Sequence, residues 1–202
     1  MKSFRITSAA LFLGAFLAAF LGSMAPAKPS QENSQPTRET SLTGPHDFDV
    51  LASGWKTHHH RLKEGLTGSH EWVEFKGTRS ARLLMEGFVD ASDSVDEVPA
   101  GAYRGLGLST YDSKSGQWAT WALDGRDPSG ALDPPLKGHF ENGIGAFFSD
   151  DTLRGKPIRV RVTWSHITST SARWEQALSG DGGKTWETNW VTDFSRGFLN
   201  LA

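Results

Sequence analysis

Short runs of alternating apolar and polar residues, separated by turn residues, recur from residue 55 to residue 194. No long stretch of this region keeps a helical apolar period of 3.6 residues. The clearest run is 157–164, where Ile158, Val160, Val162 and Trp164 alternate with Arg159, Arg161 and Thr163. Successive strand side chains point to opposite faces, so such a run turns one face to a core and the other to water. Further strands are expected at 55–62, 70–77, 78–87, 102–111 and 117–124, the second and third hinged at Gly77. Asn142-Gly143 joins 136–142 to 143–150, and this dipeptide suits tight hairpins because it tolerates positive φ. A last hairpin pairs 172–179 with 185–194.

Sequential hairpins of this kind make an antiparallel up-and-down meander of about eight to ten strands. A meander that long leaves two bare edges, and closing it into a barrel removes both. The expected fold is therefore an all-β closed barrel spanning residues 46–196, with an open β-sandwich as the alternative. A barrel of that size encloses one small ligand.

Three stretches carry a resemblance. The opening FDVLASGW, the middle YRGLGLSTYDSKSGQWATWALDGR and the ending ARWEQALSGDGGKTWETNWVTDFSR are similar to an uncharacterised bacterial family of calycin (lipocalin-like) β-barrels. In lipocalins the first motif is Gly-x-Trp, whereas Gly54 and Trp55 are adjacent here. The resemblance covers nearly the whole domain and implies a barrel with a cavity, without an established reaction.

The residues ahead of the barrel read as an export leader and a tether. Lys2 and Arg5 precede an apolar run from Ala9 to Leu21, and Ala25-Pro26-Ala27 has the small-x-small form read by signal peptidase. The run falls short of the about 20 residues that span a bilayer. Residues 28–45 hold little that could pack and read as a disordered linker; 197–202 read as a tail. Removing Lys2 and Arg5 takes the formal charge from −2 to −4, which disfavours nucleic acid as a partner; no stable membrane anchor is expected after cleavage. With no cysteine, the core holds the fold without disulfides.

Motifs for nucleophile elbows, phosphate loops and dinucleotide binding are missing, and no cofactor is expected. Ser179-Gly180-Asp181-Gly182-Gly183-Lys184-Thr185-Trp186 has the Asp-box spacing of sialidase-type propellers. Propellers repeat it blade by blade, and this chain has one, so it reads as a hairpin turn.

Candidate ligand-binding residues come from three places. Trp121, Trp164 and Trp190 lie on apolar strand faces where a cavity lining would fall. Arg173 and Glu175 share a face, as do Glu187 and Asn189 on the partner strand. Facing inward they would form a charged patch that holds a carboxylate or phosphate; facing outward they would be cross-strand ion pairs. His58 and His60 share a strand face, and with His70, His139 or Glu141 they could hold zinc. The basic and acidic residues that follow make solvent the favoured surroundings, so no tightly bound metal is expected. A long segment, 123–138, carries Asp124, Arg126, Asp127 and Asp133 and reads as a rim loop stiffened by three prolines, while the acidic run 90–99 reads as a solvated loop.

The expected function is an exported, periplasmic or extracellular protein that binds a small apolar or amphipathic molecule. The alternative is a barrel enzyme (hydrolase, isomerase or lyase type) using His58, His60, Arg173 and Glu175 as acid–base groups. The exported chain, subjected to N-terminal sequencing, should begin at Lys28; an intact Met1 on a cytoplasmic protein would contradict the leader.

Overall fold

The computed structural model describes residues 44–130 and 132–196. The leader, residues 28–43 of the linker and the tail at 197–202 lie outside the described residues. Ten strands follow one another: β1 (Ser53–Leu62), β2 (Trp72–Leu84), β3 (Val89–Val98), β4 (Gly101–Asp112), β5 (Gln117–Asp124), β6 (Leu136–Glu141), β7 (Ile144–Leu153), β8 (Lys156–Ser165), β9 (Ser171–Ser179) and β10 (Glu187–Ser195). Each pairs antiparallel with its sequence neighbour, and β1 also pairs with β10, so the sheet closes as an up-and-down barrel. This is the all-β closed barrel that the alternation predicts.

Two boundaries differ from the sequence reading. Gly77 is no hinge: β2 runs through it, with Gly77 opposite Thr57 on β1 and Asp96 on β3. The acidic run 90–99 is no loop either, because nearly all of it lies in β3. Its inward positions are Asp90, Ser92, Ser94 and Asp96, so the apolar half of the alternation is replaced by small or ionisable groups. The strand signal vanishes where the barrel interior is polar.

One end of the barrel is plugged. Residues 44–52 fold into it through a 3-10 turn (Asp49–Leu51), and Phe48 and Leu51 are buried among Trp55, Trp118, Phe140, Phe147 and Trp164. The rings meet edge to face, Phe48 against Trp118 at 4.7 Å and Phe48 against Phe140 at 5.2 Å, as aromatic quadrupoles prefer. Both fully buried indoles find acceptors: Trp118 Nε1 donates to Asp47 Oδ2 at 2.9 Å, and Trp55 Nε1 to the Leu51 carbonyl at 3.0 Å. Arg196 closes the plug by lying 3.7 Å from the Trp55 ring centre and donating to the carbonyls of Gly54 and Val50. Each large aromatic buried this way contributes about 1.5–3 kcal/mol.

At the opposite end, the Asp-box-like segment is a structural turn between β9 and β10. Asp181 accepts from the amides of Lys184 and Thr185 and from the Thr185 hydroxyl. These bonds, the Thr185 hydroxyl first, hold its carboxyl well below the usual carboxylate range. Trp186 donates to the Gly183 carbonyl at 3.1 Å and packs on Phe148 and the Arg161 guanidinium outside the barrel. Gly183 has φ +93°, and a Cβ there would stand 3.2 Å from Arg159 Nη1. Gly183→Val should therefore destabilise the fold by more than about 1 kcal/mol, read as a lower midpoint in denaturant unfolding. A midpoint equal to that of the unaltered protein would contradict this account of the turn.

Candidate functional site

Above the plug, the barrel interior contains a cavity of about 380 Å³. Its space comes from one wall. Where the cavity widens, the inward positions of β3 to β5 are Ser92, Ser94, Gly105, Gly107 and Ala122, so this patch of wall contributes little side-chain volume. Gly105 and Gly107 lie against Ser94 and Ser92: a Cβ would come within 2.9 Å and 2.8 Å of the two hydroxyls. The facing wall is aromatic, built from Trp164 on β8, Trp174 on β9, and Trp190 and Phe194 on β10. A second cavity of about 420 Å³ shares Arg61, Ala122 and Gln176 with the first and extends to the rim loop at Asp133 and Pro134.

Between the two walls lies a polar cluster centred on His59. The alternation of β1 carries Trp55, Thr57 and His59 inward, and all three are buried. The His59 ring stacks on Phe75, its direct neighbour on β2, with ring centres 4.5 Å apart. Trp190 Nε1 lies 3.3 Å from His59 Nδ1 and Thr192 Oγ1 lies 2.9 Å from it. An indole N–H only donates, so Nδ1 accepts and the ring proton belongs on Nε2. From there it is donated to Thr57 Oγ1 at 2.9 Å, with Asp96 Oδ1 alongside at 3.2 Å.

Asp96 is short of donors. It is 5% exposed; among the described residues its Oδ1 accepts no hydrogen bond, and its Oδ2 has only the Ser94 hydroxyl at 3.5 Å. Gly77 makes the close approach possible, since a Cβ there would be 2.6 Å from Asp96 Oδ1 and 2.8 Å from Thr57 Oγ1. A buried carboxylate oxygen without a partner costs about 1–3 kcal/mol or more. An imidazole and a carboxylate in this arrangement can take up and return a proton, or hold a polar group of a ligand.

An ion pair forms the cavity floor. Arg79 Nη2 donates to Asp90 Oδ1 at 2.9 Å, and Arg79 Nη1 to the Leu51 carbonyl of the plug at 3.0 Å. Burial pushes the Asp90 carboxyl up and the Arg79 guanidinium down, and each partner pulls the other back. At the rim, Arg126 covers the Tyr103 ring at 4.1 Å and clamps Asp124, whose carboxyl it draws down to about 2. Burial pushes the Tyr103 hydroxyl up, and the charge of Asp96 adds to the effect.

The residues expected at the site divide between the two faces of the sheet. Trp164 and Trp190 line the first cavity, and Trp121 borders the second. Trp121 reaches that mouth because the β5–β6 ladder ends at Thr120, where the wall opens. His58 and His60 lie on the outer face of β1, the pleat turning them away from the cavity that His59 enters. Arg173 and Glu175 are outside as well, since the inward phase of β9 is Ala172, Trp174, Gln176 and Leu178. Arg173 forks onto Asp193, directly opposite on β10, with bonds of 2.8 Å and 3.1 Å. A bulge between Thr188 and Trp190 breaks the alternation of β10, so Asn189 and Trp190 both face the interior. Sequence reasoning missed His59, Asp96, Arg79, Asp90 and Tyr103. Counting from Trp55 in steps of two would have found His59; Asp96 and Asp90 were hidden by reading their strand as a loop.

No family model matches the chain, and no curated protein matches it by sequence. Among solved structures it is similar to the S-type phycobiliprotein lyase from Guillardia theta, with a TM-score of 0.52 and 7% identity over 79% of this chain and 94% of that one. At that identity the likeness shows the fold alone, a closed antiparallel β-barrel, built here of ten strands.

Proposed function

We propose that this barrel binds a small amphipathic molecule, with its flat unsaturated part against the tryptophan wall and its polar part toward His59, Asp96 and the rim. The observation that carries this reading is the asymmetric cavity: Trp164, Trp174 and Trp190 face a wall of glycine and serine across open space. The two adjoining cavities fall within the roughly 300–1,000 Å³ of small-molecule sites, which combine apolar lining with a few placed polar groups. Serine hydroxyls and backbone on the small wall suit the edge of a planar ligand. The donor deficit of Asp96 favours a ligand that brings an N–H or O–H group into the cluster.

An enzyme reading is supported by one specific feature, the His59–Asp96 pair inside the cavity. It takes the acid–base role that the sequence suggests for His58, His60, Arg173 and Glu175, which face outward. The structural neighbour is itself a lyase, so barrels of this build also perform reactions. Export of the chain rests on its leader sequence and belongs to the same proposal: an extracytoplasmic binder of a small molecule.

Titration with planar amphipathic and apolar probes should quench tryptophan fluorescence, with a dissociation constant near micromolar, or about −8 kcal/mol. Gly107→Leu places a side chain in the open space; the only close contact of its Cβ is the movable Ser92 hydroxyl. That variant should keep its fold and bind at least about tenfold more weakly, a loss of about 1.4 kcal/mol. Flat titrations across the panel, or unchanged affinity in a folded Gly107→Leu protein, would contradict the binding reading.

A further inference from the structure

On the outside of the same strand, β1 presents His58 and His60 two residues apart on one face. On the neighbouring β2, Glu74 stands directly opposite His60, and Lys76 opposite His58. The Glu74 side chain reaches both imidazoles: Oε2 is 3.5 Å from His58 Nε2, and Oε1 is 3.5 Å from His60 Nδ1. The two rings meet edge to face at 4.5 Å, and one donor atom from each of the three residues falls within 4.8 Å of the others.

Ligands held about 2.0–2.1 Å from a tetrahedral zinc ion are about 3.3 Å apart. The carboxylate–imidazole spacings already approach that value, and the third spacing closes with small side-chain rotations at a surface where all three groups are partly exposed. Two imidazoles and one carboxylate are a donor set that zinc accepts with a water in the fourth position. The sequence alone offered His70, His139 or Glu141 as the third ligand and, with solvent the favoured surroundings, led to the expectation of no tightly bound metal. The antiparallel register of β1 and β2 supplies Glu74 instead.

We propose that His58, His60 and Glu74 form a divalent transition-metal site on the outer face of the barrel, with zinc as its first occupant. The flanking charges are Lys76 on β2 and the Arg173–Asp193 pair reaching across from β9 and β10. These three groups sum to one positive charge, so they add no net attraction for a cation, and affinity rests on the three ligands and falls in the micromolar range. The metal ties β1 to β2 directly behind His59, whose ring enters the cavity from the other face of the same strand. Binding therefore also stabilises the folded barrel in proportion to metal concentration.

The test is calorimetric titration of zinc chloride into the protein carrying no polyhistidine tag. One equivalent should bind, and His58→Ala or Glu74→Gln should weaken it about tenfold or more, since even groups behind metal ligands have effects of about 10–100-fold. His70→Ala should bind as the unaltered protein does. A long-range proton–nitrogen imidazole spectrum of the unaltered protein gives an answer that does not depend on variants folding. Zinc should move the His58 and His60 signals and leave His46, His59, His70, His139 and His166 in place. Failure to saturate at one equivalent, undiminished binding in folded His58→Ala protein, or shifts confined to other histidines would each overturn the proposal.

Discussion

Pairing β1 with β10 closes the sheet on itself, and that closure leaves a ten-stranded barrel with an interior wider than eight strands would enclose. Side chains must fill it, or something else must. At one end the chain spends its largest residues: Phe48, Trp55, Trp118, Phe140 and Phe147 pack edge to face, and a turn from ahead of β1 folds in as a stopper. The Arg79–Asp90 pair then joins plug to barrel, because Arg79 also bonds the carbonyl of Leu51. Above that level a patch of the β3 to β5 wall shrinks to glycine, serine and alanine, and the aromatic wall is left facing space. Closure and plug together make the cavity a consequence of the architecture, set by which strands carry small residues.

The polar groups in that space are costly to bury, which is why their arrangement bears on function. Arg79 and Asp90 answer each other. His59 is satisfied through Thr57, Thr192 and Trp190, yet the carboxylate beside it keeps an oxygen without a donor. Replacing such a group with an apolar residue of similar size would usually be neutral or stabilising. A donor-poor carboxylate next to an oriented imidazole, within a cavity, is the pattern from which ligand recognition or proton transfer is built.

The barrel was legible in the sequence because most strands alternate: Ile158, Val160, Val162 and Trp164 mark the inner face of β8 as plainly in sequence as in space. The site was much less legible, and for a related reason. Where the interior is a core, hydrophobicity reveals the strand; where it is a cavity, the inward residues are Asp90, Ser92, Ser94 and Asp96, and the strand reads as a solvated loop. The three histidines show the other difficulty. Alternation separates His59 from His58 and His60, but which face is inner depends on phase, and Trp55 supplies it only once it is known to be buried. The bulge at Asn189 shifted β10 by one residue, which no spacing rule could anticipate. Glu74 became a partner of His58 and His60 only through the register of β1 on β2.

The central claim is that the space between the tryptophan wall and the glycine–serine wall takes a small molecule. Native mass spectrometry of the protein, purified from its producing cells without organic solvent, tests it most directly. The account predicts a folded species heavier than the bare chain by a few hundred daltons, the extra mass released on denaturation and diminished when Gly107→Leu fills the cavity. A native spectrum showing only the bare chain, unchanged after exposure to planar amphipathic molecules at millimolar concentration, would contradict it.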